Sequence, residues 1–556
     1  MGDATGMKTA LRYPVPLYVF LVLAGLTGAG LVIASISLFG PGLTHDSAAY
    51  IFAAKSLLEG KGFEYFGYPS PFIQWPPLYP ILLAAAGILG IGHLEASGAI
   101  NAAAHGLIIV ITGYWLYSRL NYKFFAIFGT VLLVFSLPLL QVSRYLWTET
   151  LFILFFILFY IYFEKFIKTR RHTFLVTAGV FAALACLDRY AGVTIVLAAA
   201  LFLLFRSTGN GNPRDKSLSK GMEKVFLAKV RDTFIFGVIS CLPFTLWVAR
   251  NYIVSSTLLG VRLPSTYGLR LNIKRSLLSV YAWVTPDALL SGMIPPKIIP
   301  ALMAFTVLIP AIVLIIFLLV FLYKLIERTD KEQKSGLLSN NGQRKELVGS
   351  NYTVLFMTAF AFIYTAYLLA SATKVLFEPI NSRYLVPLYM PFLLVFIFAL
   401  NFLYGKFARS MNSYVQKGAI ILLALFLLYP ALNTVAAVSG YSAKGAGGYS
   451  TKALQESRLV AYVRQNPQDC TYYSNSADMV SALSGVRTYY PPKLLGPDMY
   501  GLEQFKKAVE KDACSSVVWF KNSVSSTIYG IEDIGKLYTL EIIEEYEDGT
   551  VYRIKK

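Results

Sequence analysis

The apolar stretch LYPILLAAAGILGIG, residues 78–92, decides how the chain is threaded, because it is only 15 residues long. A helix rises about 1.5 Å per residue, so roughly 18 or more apolar residues are needed to cross a bilayer core about 30 Å thick. We therefore predict that this stretch forms a half-inserted or surface-lying helix. If it crossed completely, every later loop would change sides of the membrane.

Around this stretch the chain is dominated by longer apolar runs. Apolar residues make up 56% of the 556 residues, and the mean hydropathy is +0.56, well beyond the composition of soluble domains. We predict a polytopic α-helical membrane protein with about eleven transmembrane helices. The predicted spans are residues 16–39, 97–117, 125–142, 150–167, 173–187, 191–206, 232–253, 298–323, 351–371, 386–404 and 418–437.

The distribution of charge predicts the orientation of these spans. The net charge is +19, and its whole surplus lies before residue 439. Loops on the N-terminal side hold 24 Lys and Arg in 97 residues, against 11 in the 125 residues of the opposite loops. By the positive-inside rule the N-terminus is cytoplasmic, and residues 40–96 form the first outer loop. The surplus therefore indicates membrane lipids as partners and no nucleic acid.

A soluble domain is predicted at residues 439–556, after a membrane domain at 1–438. Strands are expected at 470–475 and 514–520, helices at 477–484 and 500–512, and a hairpin turn with the last strand at 547–554. These elements predict a small extracytoplasmic α/β domain. It has no phosphate-binding glycine loop or catalytic triad, so substrate recognition or structural support is expected of it. Cys470 and Cys514 form either a disulfide or two free thiols.

The first outer loop begins with GPGLTHDSAAYIFAAKSLLEGKGF, residues 40–63. The apolar spacing after Ser47 predicts an amphipathic helix on the membrane surface. Asp46 fits as the N-cap of that helix, and it can do so while aiming its carboxylate at the lipid interface. The carboxylate is thus a candidate for chemistry as well as for capping.

Five segments at or near the outer ends of the predicted spans form a recognisable series: HDSAAY (45–50), PPLYPILLA (76–84), SRYLWTETL (143–151), LDRYAGV (187–193) and NSRYLVPLY (381–389). Together they resemble the glycosyltransferase C superfamily of membrane enzymes. The resemblance is closest to the branch that contains the protein O-mannosyltransferases and the lipid A aminoarabinose transferases. It extends from residue 16 to about residue 405.

The resemblance implies an inverting glycosyltransferase that uses a polyprenyl-phosphate or dolichyl-phosphate sugar on the extracytoplasmic side. Asp46 occupies the position of the family's catalytic first-loop acid, and we expect it to be the general base. Glu149 matches the family's second acidic position and is expected to orient the acceptor or assist Asp46. Its alternative role is to stabilise the start of a helix by its charge.

The departing lipid phosphate needs cations, and Arg-Tyr pairs recur at the outer ends of three spans. A guanidinium suits a phosphate diester, and a neighbouring phenol can donate a further hydrogen bond. Interfacial anchoring of Arg and Tyr explains any single pair equally well. The predicted substrate-binding residues are His45, Tyr50, Lys55, Arg144, Arg189, Tyr190, Arg383 and Tyr384.

Several alternatives stay open at this point. The family often has two acidic residues where this chain has His45 and Asp46, which leaves a divalent cation open and no cofactor or metal ligand assigned. The acceptor is a lipid, a glycan or a protein, and the sugar is not specified. A prokaryotic plasma membrane is the expected location. The competing hypothesis is a transporter or flippase of lipid-linked glycans, which tends to show internal repeats that we do not find here.

Overall fold

The helices of the membrane part follow the predicted spans closely. The computed structural model describes residues 15–205, 218–284, 343–408, 410, 412–467, 470–494, 500–523 and 527–556. The helices before residue 450 are α1 (Val15–Ile36), α2 (His45–Leu58), α3 (Leu78–Ile88), α4 (His93–Arg119), α5 (Lys123–Val134), α6 (Leu137–Ser143), α7 (Glu149–Thr169), α8 (His172–Asp188), α9 (Val193–Phe205), α10 (Leu218–Ser255), α11 (Leu269–Val284), α12 (Gln343–Lys374), α13 (Ser382–Phe407), α14 (Ser413–Phe426) and α15 (Leu428–Lys444).

Ten of the eleven predicted spans fall on these helices, and the remaining one, 298–323, lies outside the described residues. Six single described helices are long and apolar enough to cross a membrane, and α14 with α15 make a seventh such segment over Ser413–Lys444. The pair α5 and α6, bent by 42°, makes an eighth. The polytopic helical fold is therefore confirmed, while the count of eleven stays a prediction.

The deciding stretch forms a short helix. The described helix α3 has 11 residues and so measures about 16 Å, roughly half the thickness of a bilayer core. The buried Tyr79 ties it to α4 through its hydroxyl, which is 3.0 Å from Ser97 Oγ. This length is what a half-inserted or surface-lying helix requires, and its position relative to the membrane stays a prediction.

Helix α11 was not predicted, because its sequence has no long apolar run. Its apolar positions recur at helical spacing between charged residues, and it packs against α12 and α13. Trp283 contributes to this packing by donating its indole N–H to Ser382 Oγ at 2.7 Å. A helix that covers other helices needs only one apolar face, so a search for long apolar runs misses it.

The C-terminal residues form the expected α/β domain around a mixed five-stranded sheet of order β2-β1-β3-β5-β4. Strand β1 runs parallel to β2 and β3, whereas β5 runs antiparallel to β3 and β4. Cys470 and Cys514 form a disulfide where β1 and β3 begin, which resolves the two alternatives for these residues. The elements are α16 (Lys452–Gln455), α17 (Arg458–Gln465), β1 (Thr471–Ser474), α18 (Ala477–Ser484), β2 (Thr488–Tyr489), α19 (Leu502–Lys511), β3 (Ser515–Phe520), α20 (Ile531–Leu537), β4 (Thr539–Glu545) and β5 (Gly549–Lys555).

The glycine-rich segment before this domain is a packed junction. Helix α15 continues to Lys444, past the boundary expected at 438. Beyond it, the backbone N–H of Tyr449 donates to the carbonyl of Leu43 at 2.8 Å. Gly448 has a φ of +59°, and a Cβ there would meet that same carbonyl at 2.0 Å. The C-terminal domain is therefore held directly against the first outer loop.

Candidate active site

Asp46 lies in the first turn of α2 and makes two side-chain hydrogen bonds. Its Oδ2 accepts from Arg383 Nη2 at 2.5 Å, and its Oδ1 accepts from the indole N–H of Trp75 at 3.1 Å. The N-cap of α2 is Thr44, so the capping role considered for Asp46 is wrong. The carboxylate is directed away from its own helix and towards groups from distant parts of the chain.

Helix α2 is more enclosed than predicted. We expected an amphipathic helix on the membrane surface, but the residues from Ser47 to Ala54 are all buried. Helix α3 covers one side and α18 of the C-terminal domain covers another. Small side chains make this enclosure possible, since four of these eight residues are alanines. The helix that carries Asp46 is thus fixed on several faces.

Arg383 joins the two acidic residues predicted for the site. While Nη2 bonds to Asp46, its Nε donates to Glu149 Oε1 at 2.6 Å, and its guanidinium lies 4.0 Å from the ring centroid of Trp147. Arg189 forms an ion pair with the same Glu149 oxygen. Glu149 is fully buried at the start of α7, and its two guanidinium partners give it a role beyond helix-start stabilisation.

The ionised form of Asp46 is favoured by the charges around it. Burial alone would raise its pKa, but Arg383, His45 and Arg189 together hold the pKa of Asp46 below its usual value. Its side chain keeps 23% of its surface exposed. Asp46 is therefore an anion at neutral pH that a substrate can still reach.

A cavity of about 730 Å³ opens beside this cluster. Its size matches sites that hold small ligands. Seven of the predicted site residues line it, namely His45, Asp46, Tyr50, Arg189, Tyr190, Arg383 and Tyr384.

Three predicted residues lie elsewhere. Glu149 sits behind the cavity wall and acts on it through Arg383 and Arg189. Arg144 donates to the carbonyl of Ala446 and stacks on a tyrosine of α15, so it belongs to the junction. Lys55 donates to the carbonyl of Gly485 at 2.8 Å, in the C-terminal domain. Arg144 and Lys55 do not reach the cavity.

Several cavity residues were missed by the sequence reasoning, and Arg262 is the most informative of them. It lies in the connection between α10 and α11, and its Nη2 donates to the carbonyl of Gln74 at 2.9 Å. Among the described residues it has no carboxylate within ion-pair distance, although Asp46 lines the same cavity. No motif marks it. The other missed lining residues with polar groups include Gln74, Trp75, Asp188, Tyr364, Tyr367, Glu378 and Tyr449.

The donor set does not suit a divalent cation. Within the described part of the chain no group of three or more His, Cys, Asp and Glu side chains is arranged to hold a metal. Asp46 and Glu149 are both engaged by Arg383, which occupies the position between them.

The described helices define a polytopic helical membrane protein, and its structural likeness to ArnT agrees with the glycosyltransferase C fold that the sequence resemblance predicted. A family model described as dolichyl-phosphate-mannose-protein mannosyltransferase matches residues 74–218, which include Glu149 and Arg189 but not Asp46 or Arg383. The comparison with curated proteins found no match.

The chain is similar in structure to ArnT from Cupriavidus metallidurans. Against ArnT in the apo state the TM-score is 0.56 at 11% identity, and 97% of each chain is covered. The values are the same for ArnT bound to undecaprenyl phosphate. The oligosaccharyltransferase of Archaeoglobus fulgidus gives a TM-score of 0.48 at 14% identity, covering 96% of this chain and 72% of that one. At these identities the likeness to ArnT establishes the fold.

Proposed function

We propose that this protein is an inverting glycosyltransferase that moves a sugar from a polyprenyl-phosphate or dolichyl-phosphate donor to an acceptor at the extracytoplasmic face of the plasma membrane. The observation that carries the proposal is one cavity in which the carboxylate of Asp46 faces the guanidiniums of Arg383, Arg189 and Arg262. A transfer from a phosphate donor needs a base and cations side by side, and this cavity supplies both.

Asp46 is the proposed general base. Each of its oxygens accepts one hydrogen bond and keeps a further lone pair for an acceptor hydroxyl. The acceptor oxygen attacks the anomeric carbon while its proton passes to Asp46. The bond between that carbon and the phosphate oxygen breaks, and the lipid phosphate leaves with the electron pair. A single displacement of this kind inverts the anomeric centre.

The arginines stabilise the departing phosphate. Arg383 pairs with Asp46 and Glu149, and Arg189 pairs with Glu149, whereas Arg262 has no ion-pair partner among the residues that the structure describes. We therefore assign the first contact with the donor phosphate to Arg262, and stabilisation of the developing charge to Arg383. The similar ArnT structure with undecaprenyl phosphate bound supports a polyprenyl-phosphate donor.

The disulfide supports the proposed side of the membrane. Disulfides persist in oxidising compartments and are rare in the cytosol. The bridge between Cys470 and Cys514 lies in the C-terminal domain, which packs against the loop that carries Asp46. An extracytoplasmic location for that domain therefore brings the site to the same face.

The experiment uses the purified full chain in liposomes with synthetic short-chain polyprenyl-phosphate mannose or aminoarabinose. Membranes from cells that lack the protein serve as the acceptor. We expect release of polyprenyl phosphate and a labelled product of inverted anomeric configuration, both lost in Asp46→Asn. The matched control is Glu59→Gln, a carboxylate just after the end of α2 that pairs with Lys61. Full activity in Asp46→Asn, or sugar-lipid movement across the bilayer without transfer, would contradict the proposal.

A further inference from the structure

The imidazole of His45 lies between the first outer loop and the C-terminal domain. Its Nδ1 is 3.3 Å from Asp478 Oδ2 and 3.4 Å from the hydroxyl of Tyr490, and its Nε2 is 3.0 Å from the hydroxyl of Tyr65. Tyr449 donates its hydroxyl to the same oxygen of Asp478. Both ring nitrogens of His45 therefore have polar partners, and the charged partner, Asp478, belongs to the C-terminal domain.

Two clamps hold the helix of Asp478, α18, against α2. Lys55 donates to the carbonyl of Gly485, directly after α18. Two residues further on, Arg487 pairs with Glu64 at 3.0 Å and also donates to a carbonyl of the first loop. Both contacts anchor the C-terminal end of α18 to the first outer loop, while Asp478 in its first turn contacts His45 and Tyr449.

We propose that Asp478 is a positioning residue for the transfer reaction, which holds His45 as a cation at the cavity wall beside Asp46. This inference rests on the proposed function, since it assigns the C-terminal domain a part in the same site. Asp478 does not line the cavity, but it contacts His45 and Tyr449, which both do, and His45 is the one of the two that can carry a positive charge.

The groups that face His45 come from every element packed around it. Asp478 approaches from α18 and Asp46 from its own helix, and both favour the imidazolium. Lys493 opposes it, and the hydroxyls of Tyr65, Tyr490 and Tyr449 complete the surroundings. Burial lowers the pKa of His45, but Asp478 and Asp46 outweigh it and raise that pKa above 6.5. In turn the pKa of Asp478 is lowered despite its burial.

A cation at this position has two effects on the reaction. It adds a positive charge to the wall of a cavity that receives a phosphate, and it helps keep Asp46 ionised. When His45 loses its proton at higher pH, the positive charge at the cavity wall is lost, while Asp46 stays ionised because Arg383 and Arg189 remain beside it. The alkaline side of the pH profile of kcat/KM should therefore report the pKa of His45.

The first test needs no substrate. The chain has only four histidines, so labelling histidine Cε1 with ¹³C gives four signals, and His45→Gln identifies the one from residue 45. We expect the His45 midpoint to lie above 6.5 in the wild type and to fall by about one pH unit in Asp478→Asn, the size typical of losing an adjacent carboxylate. A wild-type midpoint at or below 6.5, or an unchanged midpoint in Asp478→Asn, overturns the proposal.

The second test follows transfer. In Asp478→Asn the alkaline limb of kcat/KM should move to lower pH by the same amount, and Asp478→Glu should restore it. The control is Asp533→Asn, which makes the same change at an exposed site on α20. A uniform loss of activity with an unmoved alkaline limb would assign Asp478 a merely structural role and overturn the proposal. Absence of transfer in the wild type would instead refute the proposed function.

Discussion

Replacing Arg383 by lysine tests the centre of the site, because this side chain joins two carboxylates that lie 337 and 234 residues away in sequence. Lysine keeps the charge but offers a single point donor in place of a planar fork. Its ammonium can bond to Asp46 or to Glu149, and one charge-assisted hydrogen bond is lost. Such a bond is worth about 2 kcal/mol, which corresponds to a kcat/KM about 30-fold lower.

The assay is the release of polyprenyl phosphate at several donor concentrations. Its matched control is Arg231→Lys. Arg231 pairs with Asp232 on α10 and lies about 28 Å along that helix from Arg250, which contacts the first outer loop. We expect the control to stay within twofold of the wild type. If Arg383→Lys retains more than a third of the wild-type kcat/KM, the bridge between the two carboxylates does not contribute to transfer as described.

Three further predictions address other parts of the structure. Arg262→Gln should raise the KM for the donor about tenfold and leave kcat within threefold, because a phosphate contact is lost in ground and transition state alike; steady-state kinetics checks this. Gly448→Ala should destabilise the docked C-terminal domain by about 1–3 kcal/mol, measured by thermal unfolding, whereas Gly440→Ala, which has open space around it, should not. The pKa of Asp46 is lowered in the folded protein, so its contribution to stability is present above the unfolded value of 3.8 and is lost as the pH falls through the folded value. Acid titration of the unfolding temperature should therefore show a loss below pH 3.8 that is smaller in Asp46→Asn.

The first outer loop shows which features of the site could be predicted from the sequence. The apolar stretch at 78–92 was expected to form a short helix, and α3 is a helix of 11 residues, whereas its placement in the membrane stays a prediction. Asp46 was singled out because HDSAAY (45–50) resembles the first-loop motif of the glycosyltransferase C superfamily. Trp75, which bonds to it from 29 residues further on, belongs to none of the motifs that carry the resemblance.

The arginines show where sequence reasoning ends. Arg144, Arg189 and Arg383 all precede a tyrosine at a helix end, yet only two of the three reach the cavity. The difference lies in packing, since Arg144 donates to the carbonyl of Ala446, 302 residues away, and stacks on the ring of Tyr441. Arg262 reaches the cavity without any motif, because its position depends on how the connection between α10 and α11 folds back onto the first loop.

The contact between the membrane part and the C-terminal domain could not be predicted from the sequence either. Gly445 to Gly448 looks like a flexible linker by composition, but each of the three glycines at 445, 447 and 448 has a positive φ and a close neighbour. Gly445 and Gly448 allow a tight approach of backbone to backbone, and Gly447 leaves room for the hydroxyl of Tyr145. Composition alone does not separate a glycine needed for close packing from one that gives flexibility.

The most direct measurement is a single-turnover experiment on Asp46→Asn with the donor bound before the acceptor is added. The account predicts that donor affinity stays within about fivefold, because the arginines remain, while the rate of sugar transfer falls by about a thousandfold, as expected when a general base is removed. Transfer at the wild-type rate from a fully bound donor would show that another group takes the proton, and it would contradict the mechanism.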